Sequence, residues 1–184
     1  PLYAQNLGGG LSVGLNASQV DGDLVAGFGK AGLVLGGFVT YELSDRLTLQ
    51  PEILFEQLGS ATQVTGLLLN TNHISVPILL QATIPVDWGN GEQNIQLQAG
   101  PVIGILLSAQ DQNRDLTAAL NRTDIRAVAG VGYRFTDRWS LLVRWGYSAL
   151  SFVPTNSTIG QLLAPGRSGL FHHYFNFSLR YHLQ

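Results

Sequence analysis

In Ile95-Gln96-Leu97-Gln98-Ala99-Gly100-Pro101-Val102-Ile103-Gly104-Ile105, apolar side chains take one parity and chiefly Gln or Gly the other. A period of two is the signature of a β-strand with unlike faces. The pattern returns in Asp124–Phe135 and Trp139–Tyr147. It is longest near the end, where Phe171, His173, Phe175, Phe177, Leu179, Tyr181 and Leu183 alternate with His172, Tyr174, Asn176, Ser178, Arg180 and His182. Earlier strands are read at roughly 8–16, 31–42, 47–58 and 73–84, which makes eight in one all-β domain spanning 1–184.

Alternation alone does not say which face meets solvent. Charge does: only 12% of residues are Asp, Glu, Lys or Arg, and Lys30 is the sole lysine, whereas a water-soluble domain carries about 25–35% charged residues on its surface. Glycine interrupts every apolar stretch short of the roughly 18 residues that a membrane-spanning helix needs. In lipid, where a free N–H or C=O has no partner, the structure that remains is a closed transmembrane barrel. Glycines together with Glu52, Glu56, Arg126, Arg134, Arg144 and Arg180 then line a crowded polar lumen. Tyr41, Tyr133, Phe135, Trp139 and Tyr181 point outward near strand ends, as in the aromatic girdles of such barrels.

Short turns alternate with longer connections. Tyr41-Glu42-Leu43-Ser44-Asp45-Arg46-Leu47-Thr48-Leu49 is echoed by Tyr133-Arg134-Phe135-Thr136-Asp137-Arg138-Trp139-Ser140-Leu141. A third turn, Pro85–Glu92, contains the hairpin dipeptide Asn90-Gly91. These are expected on the periplasmic side with both termini. Longer segments near 17–30, 60–70, 108–121 and 151–169 are expected outside the cell. Residues 1–4, Pro1-Leu2-Tyr3-Ala4, read as the tail of a secretory signal.

The chain has no cysteine, which removes thiol catalysis and disulfide frameworks. A net charge of -2 lacks the basic footprint of a nucleic-acid binder. His172 and His173 are strand neighbours that point to opposite faces and so form no chelating pair, leaving His173 a girdle position; no metal or cofactor is assigned. Gly27-Phe28-Gly29-Lys30-Ala31-Gly32 matches a dinucleotide fingerprint by letter but leads into a strand rather than a helix, and is read as a flexible loop. Asn16-Ala17-Ser18, Asn121-Arg122-Thr123 and Asn156-Ser157-Thr158 fit the glycosylation sequon, without meaning in a bacterium. His73 and Ser75 share a strand face in a His-x-Ser arrangement similar to that of outer-membrane lipid A deacylases. Their lumen side is wrong for a lipid substrate, and no catalytic residue is assigned.

Two groups remain as candidate sites. Glu52, Glu56, Arg126, Arg144 and Arg180 would form a charge network plugging a lumen that eight strands barely enclose. Phe152, Val153, Ile159, Leu162 and Leu163 make the last long loop more apolar than a free loop, the mark either of a partner contact or of a loop folded over its own rim.

Four segments carry a family likeness: Leu49-Gln50-Pro51-Glu52-Ile53-Leu54-Phe55, Ile74-Ser75-Val76-Pro77-Ile78-Leu79-Leu80, Ala99–Ala109, and Gly130-Val131-Gly132-Tyr133-Arg134-Phe135. In order and spacing they resemble the PorT-like outer-membrane β-barrel family of Bacteroidota, over nearly the whole chain. The resemblance implies an eight-stranded barrel, in some members tied to type IX secretion or gliding machinery, with no shared catalytic residues. The expected role is a non-enzymatic accessory subunit of an outer-membrane assembly, in contact with membrane lipid, lipopolysaccharide and other outer-membrane proteins. A small-solute channel, a lipid-modifying enzyme and a soluble lipocalin-like carrier are the alternatives.

Overall fold

Alternating side chains and the need to pair every backbone group in lipid resolve into a ring of strands. The computed structural model describes residues 7–21, 28–61, 68–86, 93–111, 114–153 and 169–183. Eight long strands build it: β1 (Leu7–Asp21), β2 (Lys30–Ser44), β3 (Leu47–Ala61), β4 (Leu68–Val86), β5 (Gln93–Asp111), β7 (Thr123–Arg134), β8 (Trp139–Ser148) and β9 (Phe171–Leu183). A two-residue strand, β6 (Arg114–Asp115), and a single 3-10 turn (Thr117–Ala119) fold back on the end of β5.

Every long strand pairs antiparallel with its chain neighbours, and β1 pairs with β9, so the sheet closes with no free edge among the eight. Among the described residues, no helix is long and apolar enough to cross a membrane.

Sidedness follows the parity of each strand. Ile103 and Val131 are 45% and 54% exposed, whereas Glu52 and Arg144 are 2% and 4% exposed. The barrel is therefore apolar outside, with its charged groups turned inside among further apolar side chains, the reverse of a lipocalin-like carrier.

Two of the repeated hairpin sequences make tight turns at one end. Asp45 and Arg46 alone join β2 to β3. Residues 135–138 join β7 to β8, with the Thr136 hydroxyl accepting from the amide of Trp139 at 3.0 Å. Of the third turn, read at Pro85–Glu92, Pro85 and Val86 end β4 instead, and 87–92 lie outside the described residues.

At the opposite end the strands run further than the alternation indicates. β1 extends to Asp21, β3 to Ala61 and β5 to Asp111, and β4 begins at Leu68, so the segments read as loops near 17–30, 60–70 and 108–121 are partly strand. Lys30–Gly32 of the fingerprint-like stretch likewise belongs to β2, and the Asn16 sequon lies within β1. The cause in β5 is a bulge. His73 pairs with Leu106 and Asn72 with Ser108, which leaves Leu107 as an extra residue that shifts the inward parity from Leu106 to Ala109.

Candidate functional site

Two kinds of side chain fill the lumen: an apolar cluster of Leu58, Leu79, Val102, Val128 and Tyr174, and ion pairs in which β3 turns two carboxylates inward and β7, β8 and β9 aim arginines at them. Glu52 accepts from Arg144 at 2.7 Å (Nη1 to Oε2) and 2.5 Å (Nη2 to Oε1), from Arg180, and from the Gln50 amide at 2.5 Å. Gln98 accepts from Arg144 Nη2 at 2.8 Å and donates to Gln81 at 2.6 Å, which ties the cluster to β4 and β5. Arg180 also lies over the ring of Phe38, 4.7 Å from its centroid.

Toward the loop end, Arg126 pairs with Glu56 at 2.9 Å and with Asp124 at 3.4 Å, and donates to Ser75 and, at 3.2 Å, to the Tyr174 hydroxyl. The five residues of the expected charge network are thus buried in two clusters, one around Glu52 and one around Arg126, while Arg134, also expected in the lumen, is half-buried at the turn end and joins neither. Charges taken out of water are tolerable only when paired and hydrogen-bonded in this way.

Glycines make the room. A Cβ on Gly130 would come within 2.7 Å of the Arg144 stem, and one on Gly146 would strike the Tyr174 ring.

Beside Arg126 the structure adds residues that sequence reading did not assign to the network. His172 Nδ1 lies 3.0 Å from Asp124 Oδ2, and its Nε2 lies 3.3 Å from the Thr71 hydroxyl. His73 packs edge-on to His172, ring centroids 5.3 Å apart. Asp124 shares its strand parity with Arg126, and His172 and Tyr174 share theirs with Arg180, so parity alone carried the signal. Which strand faces which across the lumen is what the sequence lacks.

His73 and Ser75 both point into the lumen, and Ser75 is engaged by Arg126. An Asp124–His172–Thr71 chain has the order of an acid, a base and a hydroxyl. It lies beneath Phe152, whose ring stacks on His172 at 4.1 Å. His173 points outward, taking a 2.7 Å hydrogen bond from the Trp145 indole within an aromatic patch with Tyr147 and Phe175.

Of the apolar loop residues, Phe152 and Val153 are buried. They pack with Val20, Leu69, Leu106 and Leu170 into a cap over the loop end of the lumen. The Phe152 carbonyl accepts from the Asn121 amide at 2.8 Å, which locks two connections together. That is the rim-folded arrangement, so these two side chains offer no free surface. Ile159, Leu162 and Leu163 lie outside the described residues. In the β5–β7 connection, hydrogen bonds from Thr117 hold the exposed Asp115 below the usual carboxylate range.

At the turn end a cavity of about 300 Å³ opens, lined by Thr40, Glu42, Thr48, Gln96, Arg134 and His182. Glu52 is not among its lining residues.

Residues 1–182 match the family described as outer membrane protein beta-barrel domain. The chain belongs to that family. The match does not distinguish a PorT-like branch within it. No curated protein matches the chain. Among solved structures, Ail, the attachment invasion locus protein of Yersinia pestis, in complex with the heparin analogue sucrose octasulfate, aligns with 97% of this chain and 99% of its own at 12% identity and a TM-score of 0.52. Neisserial surface protein A aligns over 94% and 96% of the two chains at 10% identity, also with a TM-score of 0.52. At such identities the likeness is one of fold.

Proposed function

We propose that this outer-membrane barrel is a non-enzymatic accessory or structural subunit of a larger outer-membrane assembly, acting through its wall and long loops rather than its lumen. The observation that carries this reading is the pair of ion clusters across the axis, Glu52 with Arg144 and Arg180, and Glu56 with Arg126. Paired charges that bridge the axis under an apolar cap oppose the passage of a solute. Function is left to the surfaces that meet lipid, lipopolysaccharide and other proteins. Exposed connections tolerate specialised residues, and by sequence Ile159, Leu162 and Leu163 are the apolar candidates for such a contact.

The PorT-like resemblance supports a place near secretion or gliding machinery, with turns and termini in the periplasm. Extraction from native membranes in mild detergent, followed by mass spectrometry of the copurifying proteins, tests the role. A defined set of outer-membrane partners is expected, and recovery of the barrel alone would remove the accessory role. A small-solute channel is the second reading, favoured by the cavity at the turn end. Steady single-channel openings from pure protein in a planar bilayer would establish it in place of the first.

A further inference from the structure

The lumen charges divide unevenly. Around Glu52 one carboxylate meets two guanidiniums, Arg144 and Arg180. Around Arg126 one guanidinium meets two carboxylates, Glu56 and Asp124. The second cluster is therefore one positive charge short when its histidines are neutral, a local deficit that the surplus guanidinium of the first offsets only from a distance. His73 and His172 stand at that deficit. With Asp124 they place one ligand atom each within 4.8 Å of one another, from three separate strands, β4, β7 and β9.

We propose that His73, Asp124 and His172 bind a divalent transition-metal ion, zinc in the first instance, as a structural rivet under the loop-end cap. Two imidazoles and a carboxylate with a fourth corner left for water form a donor set that suits zinc. Ligands about 2.0–2.2 Å from zinc sit about 3.4 Å apart at tetrahedral corners. Asp124 Oδ2 and His172 Nδ1 are 3.0 Å apart across a hydrogen bond, and zinc would take the place of the proton between them, which is released to solvent as the metal enters. Closing the two edges to His73 needs that ring to turn. Its Nδ1 is buried without a hydrogen-bond partner, so the ring gives up no hydrogen bond there and gains a ligand bond.

Outer contacts of the kind that orient metal ligands are in place. Thr71 Oγ1 stands 3.3 Å from His172 Nε2, and Arg126 stands 3.4 Å from Asp124. Phe152 stacked on His172 supplies a dry roof. Because that roof covers the site, the ion enters while the barrel folds and stays afterwards. The metal joins alternate staves of the barrel to the segment that closes it.

The test is to fold the barrel in detergent with zinc chloride, strip free metal by brief chelation and desalting, and measure zinc by mass spectrometry. Folded protein is identified by its heat-modifiable migration on a gel. Wild type is expected to keep about one zinc per chain and to lose its folded migration at a higher temperature than metal-free protein. His73→Gln and His172→Gln are expected to lower zinc retention by more than about tenfold, since loss of even an outer contact costs about 10–100-fold. His182→Gln, outside the cluster, leaves zinc retention unchanged. Folded wild type without zinc, or equal retention in the His73 and His172 variants, overturns the proposal. Should those variants fail to fold, wild type folded with cobalt(II) decides: tetrahedral visible bands uphold the site, and their absence overturns it.

Discussion

Arg144 and Glu52 face each other across the full width of the barrel, from strands four places apart in a ring of eight, and meet through two hydrogen bonds of 2.7 and 2.5 Å. A bidentate pair on opposite staves acts as a crossbar. It fixes the lumen's shape as well as its charge. Glu52 takes Arg180 as well, so one carboxylate gathers β3, β8 and β9.

Removing that carboxylate leaves two buried guanidiniums facing each other. Glu52→Gln is expected to cost about 3–5 kcal/mol, the usual penalty for breaking a buried ion pair from one side. Urea titration of folding into lipid vesicles measures it. Combining Glu52→Gln with Arg144→Met should cost less than the sum of the single changes, because the second change removes a charge that the first stranded. Strict additivity would show that the crossbar is not a coupled unit.

The eight strands were legible because lipid on one side and a crowded lumen on the other impose opposite chemistries on successive residues. Where that pressure fades, so does the signal. Beyond Leu15 the outward positions of β1 become Ala17, Gln19 and Asp21 while Asn16 and Ser18 point inward, so both faces read as loop although the strand continues. In β5 the bulge at Leu107 breaks the parity outright. The glutamates and arginines of the network could be assigned to the lumen by parity, but their partners could not. Asp124 lies 48 residues from His172, and the ring closure that brings them within 3.0 Å is written in no local pattern. The packing of Phe152 and Val153 was likewise undecidable, since an apolar loop reads the same whether it caps its own barrel or waits for a partner.

The outward face should respond to charge by depth. Val143 and Phe177 are register partners near the middle of β8 and β9 and are exposed on the wall. Phe177→Arg is expected to cost about 2–4 kcal/mol in lipid, while Leu183→Arg at the strand end should cost about 0–1 kcal/mol. Folding free energies in vesicles of defined thickness check the difference. Equal costs at the two positions would mean that the lipid band is placed wrongly on the wall.

Gly146 tests how tightly the lumen is filled. Its missing Cβ is the space taken by the Tyr174 ring, whose hydroxyl accepts from Arg126 at 3.2 Å. Gly146→Ala is expected to lose about 1–3 kcal/mol, the range for overpacking a dense interior. Tyr174→Leu should relieve the clash but remove the hydroxyl from Arg126, so the double variant should recover only part of the loss. Full recovery would make the Arg126 contact dispensable, and no recovery would locate the strain elsewhere.

Conductance tests whether the ion clusters close the pore. With both intact, the barrel is expected to show no steady openings in a planar bilayer, because side chains span the lumen at the levels of Glu52 and Glu56. Shortening both members of the crossbar, Glu52→Ala with Arg144→Ala, leaves Arg180 and the cluster around Arg126 in place, and the pore should stay closed. Adding Glu56→Ala and Arg126→Ala removes the second bridge across the axis and leaves Arg180, the apolar cluster of Leu58, Leu79, Val102, Val128 and Tyr174, and the cap formed by Phe152, Val153 and their neighbours. Brief openings are expected from that quadruple variant, because neither Glu52–Arg144 nor Glu56–Arg126 then bridges the axis beneath the cap. If the first pair by itself produced steady current, the upper cluster would not be a barrier, and the lumen would be plugged at one level instead of two.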